Sequence, residues 1–238
     1  MKHKVIVVDD EELIRRIVAD ELEDEGYDVI QAENGHEALE KYSEFKPDVI
    51  VSDVKMPDMT GIEMIRELSS ANSKPPPVVL VTAFADSVLE EAYAAGAQEV
   101  MGKPIEFAQL IKIVASKLVS PTERWLNNKS SQNATQLSCS FKTMSQFKNK
   151  ISFGYGGLFY ALESEFPKIG EFVDLNISVV DENLRLNLQA CVKWVRKEVS
   201  GKDVAGIGLE ITSADKEAAK VIENIMGDYD GVSYIPCS

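Results

Sequence analysis

Two periodicities divide the chain. Up to about residue 120, short apolar runs alternate with stretches whose apolar residues recur every three or four positions. Lys4–Val8 is the first run. Glu11–Glu25 then predicts a helix with Leu13, Ile14, Ile17, Val18 and Leu22 on one stripe, closed by Gly26 in the left-handed conformation that ends many helices. Tyr27–Ala32, Asp48–Ser52, Val78–Thr82 and Gln98–Met101 read as further strands. Gly35–Phe45, Gly61–Ser69, Ser87–Ala95 and Phe107–Val119 read as helices, with Ser87 and Glu90 at the spacing of a capping box. Five strand–helix pairs in succession predict an α/β doubly wound, five-stranded parallel sheet covered by helices on both faces.

Beyond Pro121 the pattern changes to period two. Val173, Leu175, Ile177 and Val179 alternate with polar residues, the even positions from Leu184 to Trp194 share one face, and Ile207, Leu209 and Ile211 repeat the alternation. Such runs, separated by Gly, Asp and Asn clusters, predict antiparallel strands in a small β-barrel or sandwich. Ser213 would cap a terminal helix over Ala214–Met226, ended by Gly227. Asn127–Gln136 is rich in Asn, Ser and Gln and reads as a loop. The expected division is a first domain over residues 1–120, a linker over 121–136 and a second domain over 137–238.

Charge separates the halves again. Residues 1–120 hold 12 Lys and Arg against 24 Asp and Glu, whereas residues 121–238 hold 13 against 15. Affinity for nucleic acid rests on basic residues that displace phosphate counterions, and neither half has a basic surplus. No nucleic-acid partner is therefore expected. Apolar runs are too short for a membrane helix, and a run of only four apolar residues precedes Asp9, shorter than a signal peptide uses. Cys139, Cys191 and Cys237 are odd in number and far apart, without a Cys-x-x-Cys pair, so neither a zinc site nor a disulfide framework is indicated. No membrane insertion and a cytoplasmic location are the expectation, under which the Asn133 and Asn176 glycosylation triplets carry no meaning.

In an open parallel sheet, ligands bind beyond the carboxyl ends of the strands. The residues expected there are Asp9 and Asp10 after the first strand, Asp53 after the third, Thr82 at the end of the fourth and Lys103 after the fifth. A lone Asp in such a place is best explained as a cap or a solvated loop residue. Three carboxylates, a hydroxyl and an ammonium together suggest more. Converging carboxylates repel unless a cation intervenes, and Mg²⁺ suits a site of few oxygen ligands. Asp53 could then act as a nucleophile towards a phosphoryl group, with Lys103 neutralising charge and Thr82 donating a hydrogen bond.

These motifs, Val7-Val8-Asp9-Asp10-Glu11, Asp53 to Gly61, Val81-Thr82-Ala83 and Gly102-Lys103-Pro104, closely resemble the receiver domain of bacterial two-component response regulators, which is flavodoxin-like. The resemblance implies Asp53 as phosphoacceptor, a sensor histidine kinase as donor, and Mg²⁺ held by Asp10, Asp53, the backbone carbonyl of Lys55 and, through water, Asp9. Ala83 would leave room for the phosphoryl group. Homodimerisation through the fourth and fifth helices is a further expectation of this family. The family often carries an aromatic switch residue three positions before the lysine, where this chain has Val100. Signalling would then rest on movement of Thr82–Asp86 and the helix after it.

The second half is similar to a PilZ domain in Gly156-Gly157-Leu158-Phe159, Gly170, the long alternating strands, Gly206-Ile207-Gly208-Leu209-Glu210 and the terminal helix. That family binds cyclic di-GMP through Arg-x-x-x-Arg and Asp-x-Ser-x-x-Gly. Here the second motif falls on Ser152 to Gly157, keeping only the last glycine. Arg124 is followed four residues later by Asn128, and Lys142, Lys148, Lys150, Lys193 and Lys197 offer point charges without arginine's fork. The leading expectation is a response regulator that relays its signal through protein–protein contact by the PilZ-like domain, with Phe153, Tyr155 and Phe159 either a docking face or ordinary core. The runner-up is the same layout with cyclic di-GMP as ligand. A transcription regulator is disfavoured by the lack of a basic helix pair. An enzyme is disfavoured because both histidines, His3 and His36, lie in the first half.

Overall fold

The computed structural model describes residues 2–71, 75–128, 131, 133–154, 156–197, 204–227 and 235. It separates into two compact units, residues 1–119 and 120–238.

In the first unit, β1 (Lys4–Val8), β2 (Asp28–Ala32), β3 (Val49–Asp53), β4 (Val78–Thr82) and β5 (Glu99–Gly102) form one parallel sheet in the order β2-β1-β3-β4-β5. The central strands β1, β3 and β4 are apolar through most of their length because helices bury both faces. Ile6, Ile50 and Leu80 pack on one side with α2 (Gly35–Phe45), α3 (Gly61–Ala71) and α4 (Ala85–Ala95). Val7, Val51 and Val81 pack on the other with α1 (Glu12–Asp24) and α5 (Phe107–Lys117). Gly26 follows α1 with φ +92°, as its place in the sequence implies. The expected Ser87–Glu90 capping box is absent. Helix α4 begins two residues earlier, at Ala85, and the Ser87 hydroxyl donates back to the Phe84 carbonyl.

The second unit departs further from expectation. Residues 121–127, expected in the linker, form α6 (Pro121–Asn127), whose Trp125 is buried in the unit's core. Ser120 accepts from the Glu123 amide and Pro121 occupies the first turn, so this helix has its own start signal. Six strands follow, with α7 (Met144–Lys148) between the first two: β6 (Thr135–Phe141), β7 (Ile151–Phe153), β8 (Gly157–Ala161), β9 (Phe172–Val179), β10 (Leu184–Arg196) and β11 (Gly206–Ala214). They pair in the order β6-β9-β10-β11-β8-β7. The sheet is a curled, mixed half-barrel rather than the expected antiparallel barrel, because β6 runs parallel to β9 and the remaining pairs are antiparallel. Register shifts in β10 near Gln189 and Val192 allow the long strand to bend. The terminal helix α8 (Lys216–Gly227) closes the concave side with Ala218, Ala219 and Ile222. Its first turn is held by Asp215, which accepts from the Ala218 amide, and not by Ser213, which lies within β11. Among the described residues no helix is long and apolar enough to cross a membrane.

Candidate functional site

Each strand of the first sheet ends where its apolar run meets a polar residue, and this places the chemistry. Asp9 follows β1, with its amide bonded to the Ala32 carbonyl at 3.2 Å and its Oδ1 accepting from the Glu11 amide at 2.9 Å. Asp53 is the last residue of β3. The turn after it is built tightly: Gly61 donates to the Val54 carbonyl at 3.0 Å, and a Cβ on Gly61 would lie 2.4 Å from the Asp53 carbonyl oxygen. Only glycine lets α3 start so close to the acid. Thr60 then caps that helix, its hydroxyl accepting from the Glu63 amide while Glu63 accepts from the Thr60 amide and hydroxyl.

Three of the expected residues meet directly. Lys103 Nζ lies 2.6 Å from Asp53 Oδ1 and 3.1 Å from Asp9 Oδ2. The other Asp53 oxygen accepts from the Lys55 amide at 2.6 Å. Thr82, 2% exposed, ends the neighbouring strand, and its carbonyl accepts from the Lys103 amide at 2.8 Å. Its hydroxyl accepts from the Phe84 amide at 3.2 Å. The fifth residue, Asp10, stands apart as an exposed side chain beside Asp9. Ala83 is exposed as well. Val100 is half-buried and packs against the core on the α2–α4 side.

Burial raises the Asp53 carboxyl above the ordinary aspartate range, and nearby Asp9 adds to this, while the hydrogen bond and charge of Lys103 oppose it. For Lys103, burial pulls the other way, but its bonds to Asp53 and Asp9 outweigh it and hold the ammonium above the usual lysine value. The result is a nearly buried carboxylate in a fixed orientation, matched to a cation that stays charged. Among the described residues no three acidic, histidine or cysteine side chains gather closely enough to hold a metal on their own. Lys103 occupies the space between Asp9 and Asp53.

One contact has no signal in the sequence pattern, and a second joins two residues that the sequence places beside the site. Arg15 donates to the Asp9 carbonyl at 2.6 Å, which ties α1 to the site from six residues away. Lys55 Nζ sits 4.4 Å from the centre of the Phe84 ring, which is 58% exposed. Both residues lie two positions beyond a site residue, Asp53 and Thr82, the spacing from which the sequence suggests that they flank a phosphoryl group.

The second unit's motif residues have structural explanations. The Gly154 amide donates to the Gly157 carbonyl at 2.8 Å and the Ile211 amide to Gly156 at 3.1 Å, so the glycine cluster forms a turn. A Cβ on Gly157 would lie 2.1 Å from the Leu209 carbonyl oxygen. Phe153 is buried in the core, and Phe159, 2% exposed, stacks on Trp194 at 5.6 Å. Neither forms the docking face considered above, and Tyr155 lies outside the described residues. Lys193 and Arg124 both approach Glu210, at 3.0 and 3.8 Å, and Lys150 pairs with Glu163 at 3.2 Å.

Comparison with known proteins agrees with the first unit's geometry. The response regulator receiver domain pattern matches residues 5–115. The chain is 30% identical to chemotaxis protein CheY of Bacillus subtilis over 119 residues, covering 50% of this chain and 99% of that protein. It is 34% identical to the CheY of Thermotoga maritima over 113 residues, covering 47% and 94%. A solved structure of the chemotaxis response regulator CheY4 of Vibrio cholerae is 35% identical, covers 49% of this chain and 99% of its own, and superposes with a TM-score of 0.46. Through its N-terminal half, this chain belongs to the response regulator receiver family.

Proposed function

We propose that the chain is a phospho-accepting response regulator in which Asp53 takes a phosphoryl group from a sensor histidine kinase. The observation that carries this reading is the double hold on Asp53: one oxygen on the Lys55 amide, the other on the Lys103 ammonium. A carboxylate oxygen of Asp53 would attack phosphorus as the bond to the donor nitrogen breaks, with the electron pair leaving on the donor histidine. Lys103 would then offset charge on the transferring group, and Thr82, at the end of the neighbouring strand, would donate its hydroxyl to one of the phosphoryl oxygens.

The donor set suits Mg²⁺ in kind. Asp9 and Asp53 are hard carboxylate ligands, 5% and 7% exposed, and burial has already raised Asp53 beyond what Lys103 offsets. Asp10, Asp53 and the Lys55 carbonyl would hold the ion directly, with Asp9 through water. Bound there, Mg²⁺ would supply neutralisation of the phosphoryl oxygens. Asp53→Asn should abolish labelling by a small phosphodonor in Mg²⁺, and labelling that persisted would remove the assignment.

The same proposal assigns the output to the second unit, as a PilZ-like domain that works by contact with a protein. The curled sheet, the Gly156–Gly157 turn and the terminal helix α8 support the likeness. The absence of both arginines from the Arg-x-x-x-Arg positions argues for contact over cyclic di-GMP. Each charge-assisted hydrogen bond lost costs about 1.5–3 kcal/mol, and about 1.4 kcal/mol is tenfold in affinity. Calorimetric titration of the full chain with cyclic di-GMP should show no saturable binding at micromolar concentration. Saturable binding would replace protein contact by nucleotide sensing.

A further inference from the structure

We infer that the outer face of the second unit's sheet binds a small molecule bearing a single phosphate group, in a shallow depression of about 260 Å³, open to solvent, over β6, β9 and β10. Strand register arranges the outward side chains of these three strands in rows. In the first row Asp174 is fully engaged. It accepts from Gln136 at 2.7 Å and from Gln189 at 2.8 Å, and Gln189 in turn accepts from the Ser131 amide at 2.5 Å. This row lies outside the cavity and is closed to a ligand.

The next two rows differ. They carry Ser138, Asn176 and Asn187, then Ser140, Ser178 and Arg185, all of which line the cavity. Ser178 donates to Ser140 at 3.0 Å and Asn176 to Gln136 at 3.3 Å. The side chains of Arg185, Asn187 and Ser138 have no protein partner among the described residues. Across the three strands these rows read Ser138–Asn176–Asn187 and Ser140–Ser178–Arg185, with the short serines on the edge strand β6 and Arg185 and Asn187 on β10 opposite.

A solvated arginine in an acidic chain normally finds a carboxylate. This chain carries a net charge of −14, and Asp181 and Glu182 lie four and three residues before Arg185, yet among the described residues neither makes an ion pair or hydrogen bond with it. Among the described residues no carboxylate lines the depression. One guanidinium fork matched to amides and hydroxyls fits one phosphate bidentately, with neutral donors left for the attached body. A single cation suits a monoester better than a polyphosphate. A depression of this size and openness holds a ligand by one side only, which suits a molecule as small as a sugar phosphate. This site is independent of Asp53 and shares no residue with the Ser152–Gly157 segment.

The test is a titration of the isotope-labelled full chain, read from amide resonances, with ribose 5-phosphate, ribose, inorganic phosphate and acetate. Ribose 5-phosphate should give saturable shifts confined to the amides around Ser138, Ser140, Ser178 and Asn187, while ribose gives none. Inorganic phosphate should bind the same residues more weakly. Arg185→Gln should weaken binding at least about tenfold with the remaining spectrum unchanged, and Asn187→Ala should weaken it less. Equal affinity in the Arg185→Gln protein, shifts centred elsewhere, or no saturation into the millimolar range would overturn the site. Acetate competing as well as phosphate would overturn the assignment to a phosphate ligand.

Discussion

The two sheets of this chain handle their polar residues in opposite ways. The first gathers them at the ends of strands, where Asp9, Asp53 and Thr82 are 5%, 7% and 2% exposed and Lys103 joins the two acids. The second spreads them along strands, where every other residue of β9 faces out and the core is left to Val173, Leu175, Ile177 and Val179. Parallel strands covered on both faces have no room for polar side chains except at their ends, so chemistry concentrates there. A half-barrel with one wet face can tolerate them anywhere on that face. A buried polar cluster is therefore expected to be sensitive to single substitutions, and a dispersed one tolerant, unless a cavity focuses it.

The sharpest structural test of where the second unit begins is Trp125. If residues 121–136 were a tether, Trp125→Ala would leave stability unchanged. In the structure its side chain is 1% exposed and packs in the core with Leu209 and Ile222. Large-to-small changes of this kind cost about 3–5 kcal/mol. Denaturant unfolding of the full chain should show that loss in the transition of the second unit while the first unit's transition stays in place. Loss in both transitions, or in neither, would redraw the boundary.

The sequence betrayed this helix and yet the composition hid it. Ser120, Pro121 and Glu123 spell a helix start, but the Asn- and Ser-rich stretch beyond drew the whole region into a loop. Local signals elsewhere were read at the wrong offset for a related reason. Ser87 and Ser213 are common capping residues, but α4 starts two residues before Ser87 and β11 runs on through Ser213, so neither caps a helix. Strands themselves were legible wherever burial alternates or is complete, as in β3, β4 and β9. Pairing was not. The parallel contact of β6 with β9 joins residues 38 apart in sequence, and nothing local to either strand encodes direction. The acidic site was legible because the strand-end rule turns order along the chain into proximity in space. What that rule could not supply is the exposure of Asp10 or the way Lys103 takes up both buried acids.

Asp10 gives the next test, since the role proposed for it needs a cation and not packing. An exposed carboxylate contributes little to stability, so Asp10→Ala should leave the unfolding midpoint nearly unchanged. It should nevertheless weaken Mg²⁺ binding about tenfold or more, because a site with few protein ligands loses one of its charges. Calorimetric Mg²⁺ titration of the two proteins checks this. An unchanged isotherm would mean that the ion, if bound, is held by Asp9 and Asp53 without Asp10.

The smallest expected effect concerns the exposed rim of the same site. Lys55 Nζ rests 4.4 Å from the Phe84 ring centre, and the two residues follow Asp53 and Thr82 by two positions on different loops. A cation–π contact at an exposed position is worth about 0.5–1 kcal/mol, so it biases the ring towards the site without locking it there. Held in place, the ring would obstruct water approaching a phosphoryl group on Asp53. Phe84→Ala should therefore speed loss of the phosphoryl group by only ~2–5-fold, the factor that such an energy commands. Phe84→Leu, which keeps bulk but loses the π-face, should fall between the two. Measuring the decay of labelled protein after the donor is removed separates the cases. A rate unchanged in Phe84→Ala would show that this ring does not limit access of water. A Phe84→Leu rate equal to that of the native protein would assign the protection to bulk alone, and the contact with Lys55 would have no part in it.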